Sequence, residues 1–148
     1  MTVNLRSLPG RMMLGAVIAC LPAFVSTVSA APRDNSRNEA KLAKALEGRV
    51  AGKPVDCLYQ RDIRSSRIYD RTAIVYETSG GTLYVNRPRS GATSLDSNDI
   101  LVTDTHSSQL CSIDVVQLYD NGSRMQNGFV GLGPFVPYVK PKAATARH

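Results

Sequence analysis

The sequence holds little of what soft metal centres and thiol redox chemistry require: 148 residues contain three cysteines, two histidines and no tryptophan. No C-x-x-C pair and no H-x-x-H spacing occurs, which argues against zinc-binding and thioredoxin-type readings. No apolar run reaches the ~20 residues needed to cross hydrocarbon. Glycine and proline, 11 and 8 residues, are near average usage and exclude collagen-like and low-complexity chains. No internal repeat is present. At 43% hydrophobic and 20% charged residues, the composition fits one small globular domain, neither a disordered tail nor a membrane bundle.

The first thirty residues differ from the rest. Arg6 and Arg11 precede the apolar stretch Met12 to Val25, no acidic residue intervenes, and Ser26 to Ala30 follows. This is the order of a secretory signal peptide over residues 1–30. Val28 and Ala30 supply the small side chains that signal peptidase reads, so cleavage is expected after Ala30. The apolar stretch is 14 residues long and is interrupted by Pro22, which disfavours an uncleaved anchor. The alternative is lipidation at Cys20, because Val17-Ile18-Ala19-Cys20 fits the lipobox pattern. The apolar residues after Cys20 weigh against it. The expected location is periplasmic or secreted, with a membrane-anchored lipoprotein as the alternative.

Removing residues 1–30 leaves 118 residues, with 16 basic against 12 acidic side chains, so the net charge falls from +6 to a mild +4. It also leaves Cys57 and Cys111, an even pair in an oxidising compartment, for which a disulfide is the default. Such a bond would enclose 53 residues, a crosslink that the chain-entropy argument values at roughly 4 kcal/mol.

Residues 31–53 read as a flexible lead and a short helix. Ser36-Arg37-Asn38-Glu39 has the form of a capping box. Glu39 to Glu47 favours helix, with Leu42, Ala43 and Leu46 on one side and Lys41 and Lys44 off it. Gly48 suits the left-handed stop. Residues 54–140 read as a β-rich domain. Its strand candidates are Val55–Gln60, Ile63–Tyr69, Thr72–Thr78, Thr82–Asn86, Ile100–Thr103, Leu110–Tyr119 and Val136–Lys140. Asp70-Arg71 and Ser79-Gly80-Gly81 stand at hairpin spacing. Arg87 to Asn98 is a loop, Asp120 to Gly128 a turn region, and 141–148 a disordered tail. The expected fold is mainly β, a small antiparallel barrel or sandwich with one short N-terminal α-helix.

Catalytic constellations are thin. In Asp104-Thr105-His106-Ser107-Ser108, alternate side chains of an extended segment face opposite ways and cannot converge on one atom. A hydrolase with His106 as base is therefore only a third reading, behind a polar surface loop. Asp96 with Asp99, Asp62 with Asp70 and Asp114 with Asp120 lie beside turn-forming residues, and Asp96-Ser97-Asn98-Asp99 lacks the frame of a calcium loop. Gly128 to Gly133 lacks the Lys-Ser/Thr of a phosphate loop and reads as a tight backbone crossing before a final strand. Asn121-Gly122-Ser123 is a formal glycosylation sequon that marks a turn. No catalytic residue, metal or cofactor is expected.

The most suggestive cluster is basic: Arg61, Arg64, Arg67 and Arg71, joined by Arg87 and Arg89, with Tyr59, Tyr69, Tyr76 and Tyr84 interleaved. On one face of a barrel these would bind a polyanion or stack on rings. The three-residue spacing does not keep them on one strand face, however, and Asp62 and Asp70 offset two of them. A solvated sheet surface is the plainer reading. The compartment disfavours nucleic acid; lipopolysaccharide or a cell-wall polymer is the more sensible anion.

Five stretches in order, Gly52-Lys53-Pro54-Val55-Asp56-Cys57, Ile63-Arg64-Ser65-Ser66-Arg67, Tyr84-Val85-Asn86-Arg87, Leu110-Cys111-Ser112-Ile113-Asp114 and Gly131-Leu132-Gly133-Pro134-Phe135-Val136-Pro137, carry a resemblance. Across residues 50–140 the chain resembles an uncharacterised bacterial family of small exported or lipidated cysteine-containing proteins, a domain of unknown function. That family's pattern has four cysteines. Cys57 matches the first and Cys111 the third, while Ser90-Gly91-Ala92-Thr93 and the region of Val130 lack the second and fourth. The resemblance thus implies that the missing two formed one bridge and that Cys57 pairs with Cys111. It implies no activity. The expected role is binding or envelope support, with polyanion binding through the Arg/Tyr surface as the alternative.

Overall fold

The structure, a computed structural model, describes residues 35–105 and 107–141. The expected signal segment with Cys20 and Ala30, residues 31–34, His106 and residues 142–148 lie outside the described residues. Helix α1 (Ser36–Ala45) is followed by ten strands: β1 (Val50–Ala51), β2 (Cys57–Tyr59), β3 (Ile63–Tyr69), β4 (Ala73–Thr78), β5 (Leu83–Asn86), β6 (Asp99–Thr103), β7 (Gln109–Cys111), β8 (Val115–Asp120), β9 (Gln126–Gly131) and β10 (Phe135–Val139). They form three antiparallel sheets, ordered β1-β10-β5-β4-β3, β6-β8-β9 and β2-β7.

The five-stranded sheet is covered on both faces. Along β4, Ile74 and Tyr76 join a core with Leu58, Leu110, Val116, Leu118, Val130 and Phe135 from the two smaller sheets and β10. Ala73 and Val75 join a second cluster with Leu42 of α1, Tyr69, Leu83 and Val85. The period-2 alternation of a strand therefore feeds two cores at once, and Ala73 to Tyr76 are all buried. The result is mainly β, a small sandwich with a helix on its outer face. It is not a closed barrel: β3 and β6 each end their sheets with no strand between them.

Several elements depart from the sequence expectation for identifiable reasons. The run Leu110 to Tyr119 is two strands, because the Asp114 carboxylate accepts the Cys111 N–H at 2.7 Å and bends the chain at Ser112-Ile113-Asp114. The Asp120 to Gly128 turn region ends earlier, and β9 takes up Gln126 onward. There Val130 is fully buried against Val116 of β8, so tertiary packing overrides a turn-rich composition. The two-residue β1 is too short to show a pattern. At α1 the capping box does not form. The helix starts at Ser36 after Asn35, and the Glu39 carboxylate is engaged by Arg87. A bidentate charged partner outcompetes a backbone N–H.

Of the glycine-rich segment expected as a backbone crossing, residues 128–131 belong to β9, and the tight crossing before β10 lies at Gly133. A Cβ at Gly133 would stand 2.5 Å from the Arg87 carbonyl oxygen. Across this crossing the buried Asn86 amide donates to the Gly133 carbonyl and accepts its N–H, which satisfies both ends of a side chain that is wholly shielded from water.

Cys57 and Cys111 form a disulfide. They are direct partners in the β2–β7 register, so the bond clamps a two-stranded sheet that is marginal alone. Replacing both cysteines by serine should lower unfolding free energy by about 4 kcal/mol, read in urea melts. An unchanged midpoint would contradict the brace.

Candidate functional site

The six arginines are dispersed. Arg61 sits in the turn before β3, its guanidinium 5.1 Å from the Tyr59 ring centre and 3.8 Å from the Asp62 carboxylate. Arg64 lies beside the irregularity at the start of β3. Arg71 occupies the β3–β4 turn with φ 54°, and its carbonyl accepts from Asn35. Arg87 makes two hydrogen bonds to Glu39 at 2.7 and 2.8 Å. Arg89 follows β5, with its side chain beside the Gly133 crossing. The tyrosines do not build a stacking surface. Tyr76 is in the inter-sheet core, edge-to-face with Phe135 at 5.7 Å, and burial pushes its phenol well above the usual range. Tyr69 is buried beneath α1, and Tyr84 packs half-buried against the core.

What the fold does assemble is a different basic set. A cleft of about 820 Å³ opens between α1, β3 and β6, and of the six arginines only Arg67 lines it. Lys41 and Lys44 join Arg67 from the exposed flank of the helix. Leu42, between them in sequence, is 2% exposed and pins that helix to the sheet. The lysines stand three positions apart, so both project to neighbouring positions on one flank. Among the described residues none of the three cations has an ion-pair partner. The cleft also carries two carboxylates held by neutral donors: Asp70 accepts the Ser97 N–H at 2.6 Å, and Asp99 accepts from Asn127 at 3.2 Å. Ile68, Ile100 and Leu101 add an apolar strip. Three cations without ion-pair partners outnumber the two carboxylates, and a net-positive, half-apolar groove favours an anionic guest with some apolar surface.

No family model matches the chain, and no curated protein or solved structure does.

Other candidates stay apart. Among the described residues no group of three or more His, Cys, Asp or Glu could hold a metal ion, and no helix is long and apolar enough to cross a membrane. The Asp120 carboxylate accepts from the Gly122 and Ser123 backbones and the Ser123 hydroxyl, closing the Asn121-Gly122-Ser123 turn. Those bonds hold its pKa below the usual carboxylate value. Asp96 likewise accepts the Asn98 N–H. The Gln60 amide donates to the Thr105 hydroxyl, which donates to the Ser107 carbonyl.

Lys41 and Lys44 are the functional candidates that the basic-cluster argument passed over. Their signal was present, two lysines three apart on the polar side of a thin amphipathic helix. Their meeting with Arg67 needed the helix to be docked.

That docking titrates. The Arg87 hydrogen bonds, helped by the guanidinium's charge, hold the Glu39 carboxyl below its ordinary value against the opposing effect of burial. The ion pair therefore adds stability above the carboxylate range and loses it as pH falls through the lowered value. Both side chains are about half exposed, which limits the contribution to under ~1 kcal/mol. Glu39→Gln should destabilise the protein by that amount at neutral pH. The variant and parent should converge in acid, as checked by urea melts at both pH values; a difference that persists in acid would contradict the assignment.

Proposed function

We propose that this chain is an exported, disulfide-braced binding domain that receives an anionic envelope partner in the α1–β3–β6 cleft. The observation that carries the reading is the convergence of Lys41, Lys44 and Arg67 on one open groove without carboxylate partners. Salt-bridged cations add little to a surface, whereas unpaired ones beside low-dielectric walls focus field on a guest. The Cys57–Cys111 bond and the signal-like residues 1–30 support a location outside the cytoplasm. The resemblance to small exported or lipidated bacterial proteins agrees with the same compartment and implies no activity.

The expected alternative, a polyanion surface spanning Arg61 to Arg71 with Arg87 and Arg89, retains Arg67 and Arg64 as contributors. Arg87 is already committed to Glu39, so its loss is read in stability rather than in affinity.

Arg67 is common to both readings, so a Lys41→Ala/Lys44→Ala variant separates the two. With lipopolysaccharide or a sulfated dextran as probe, the parent's affinity should fall steeply with ionic strength. The double variant should bind several-fold more weakly, and Arg61→Ala/Arg89→Ala should bind as the parent does. Full affinity in the double variant would sink the cleft as the site, and loss confined to Arg61→Ala/Arg89→Ala would return the reading to the dispersed arginines.

A further inference from the structure

The cleft is bordered by two open strand edges, and these specify its guest more closely than charge does. β3 ends the five-stranded sheet and β6 ends the three-stranded one, so each is hydrogen-bonded to a neighbour on one side only. Side chains of a strand alternate between faces. The cleft nevertheless meets consecutive residues of both strands, Ser66 to Asp70 and Asp99 to Leu101. A cavity that touches every residue of a strand, rather than every second one, runs along its edge. Its walls therefore present backbone N–H and C=O groups, and such an edge is a template for an added strand.

Charge decides which strand. A second copy pairing antiparallel through the same edge must oppose residues of like parity, and the register centred on Arg67 would set that guanidinium directly against its own copy, with Ser66 opposite Ile68. Directly opposed like charges destabilise such a pair. Lys41 and Lys44 add further positive charge over the same edge. Both features work against self-pairing and in favour of a strand bearing carboxylates. The register of β3 gives the pattern. Arg67 and Tyr69 are partners of Val75 and Ala73, on the side where α1 packs. Ser66 and Ile68 are partners of Tyr76 and Ile74, on the side of the inter-sheet core. A strand added to this edge would turn alternate side chains toward Lys41, Lys44 and Arg67, and the others toward Ile68 and Leu101.

We propose that the cleft takes an extended peptide segment of a partner protein, with acidic and apolar side chains alternating, as a strand added to the free edge of β3. The proposal rests on the cleft's being an anion site and deepens that reading. At ~3.3 Å per residue, the lined length of β3 accommodates about five or six peptide residues.

The test uses the purified full chain and an end-capped hexapeptide alternating glutamate and valine. Two analogues carry backbone N-methyl groups at the odd or at the even positions, so each silences the donors along one edge while keeping every charge. Binding is read by calorimetry, and amide hydrogen exchange is followed residue by residue. The parent peptide should bind and slow exchange in β3, and one methylated analogue should lose roughly tenfold or more in affinity. Equal binding of both analogues, or binding without slowed exchange in β3, would overturn strand addition. If sulfated dextran binds through the three cations but the peptide does not bind, strand addition fails and the anion site survives. If neither binds, both readings fail. Protection of β3 through concentration-dependent dimerisation without peptide would assign the edge to a second copy and overturn the proposal.

Discussion

The five-stranded sheet is buried on both faces yet open along one edge, and most of the molecule follows from that asymmetry. Two faces need two covers. The smaller sheets supply one through Leu58, Leu110, Val116, Leu118 and Val130, and α1 supplies the other through Leu42. Neither cover extends over the edge of β3. The gap left between helix, β3 and β6 is the cleft, and its chemistry is set by whichever side chains the covers turn toward it.

Each cover is held by a separate device. The two-stranded β2–β7 sheet is too small to persist by hydrogen bonding alone, and the Cys57–Cys111 bond ties it at directly opposed positions. The helix has ten residues and would be marginal in isolation. It is docked by buried Leu42, by the Glu39–Arg87 pair, and by the Asn35 amide reaching the Arg71 carbonyl and the Thr72 hydroxyl. The binding geometry thus depends on contacts outside the cleft. Lys41 and Lys44 stand where they do because Glu39 and Leu42, on other parts of the same helix, are spoken for.

Local pattern made much of this fold readable. Ile63–Tyr69 is a strand over the whole expected span, because turn residues bound it on both sides. The hairpin after it, the strand ending at Asn86 and the left-handed Gly48 (φ 71°) also follow from local chemistry. The misses are places where distant partners decide. Gln126 to Gly131 has the composition of a turn and becomes a strand only because β8 needs a neighbour. Ser112 to Asp114 interrupts an apolar run through a carboxylate bond that no periodicity records. The site was half legible: Arg67 stood among the expected cations, but its companions lie on an element that sequence order keeps more than twenty residues away. Arg87 read as a free cation until the fold paired it.

The most direct test of the cleft as the binding site is chemical-shift mapping on isotope-labelled protein titrated with an acidic oligopeptide. The account predicts that the largest backbone and side-chain shifts fall on Lys41, Lys44, Ser66 to Asp70 and Asp99 to Leu101. Shifts centred instead on Tyr59 and Arg61, or on Arg87 and Arg89, with the cleft unmoved, would contradict it.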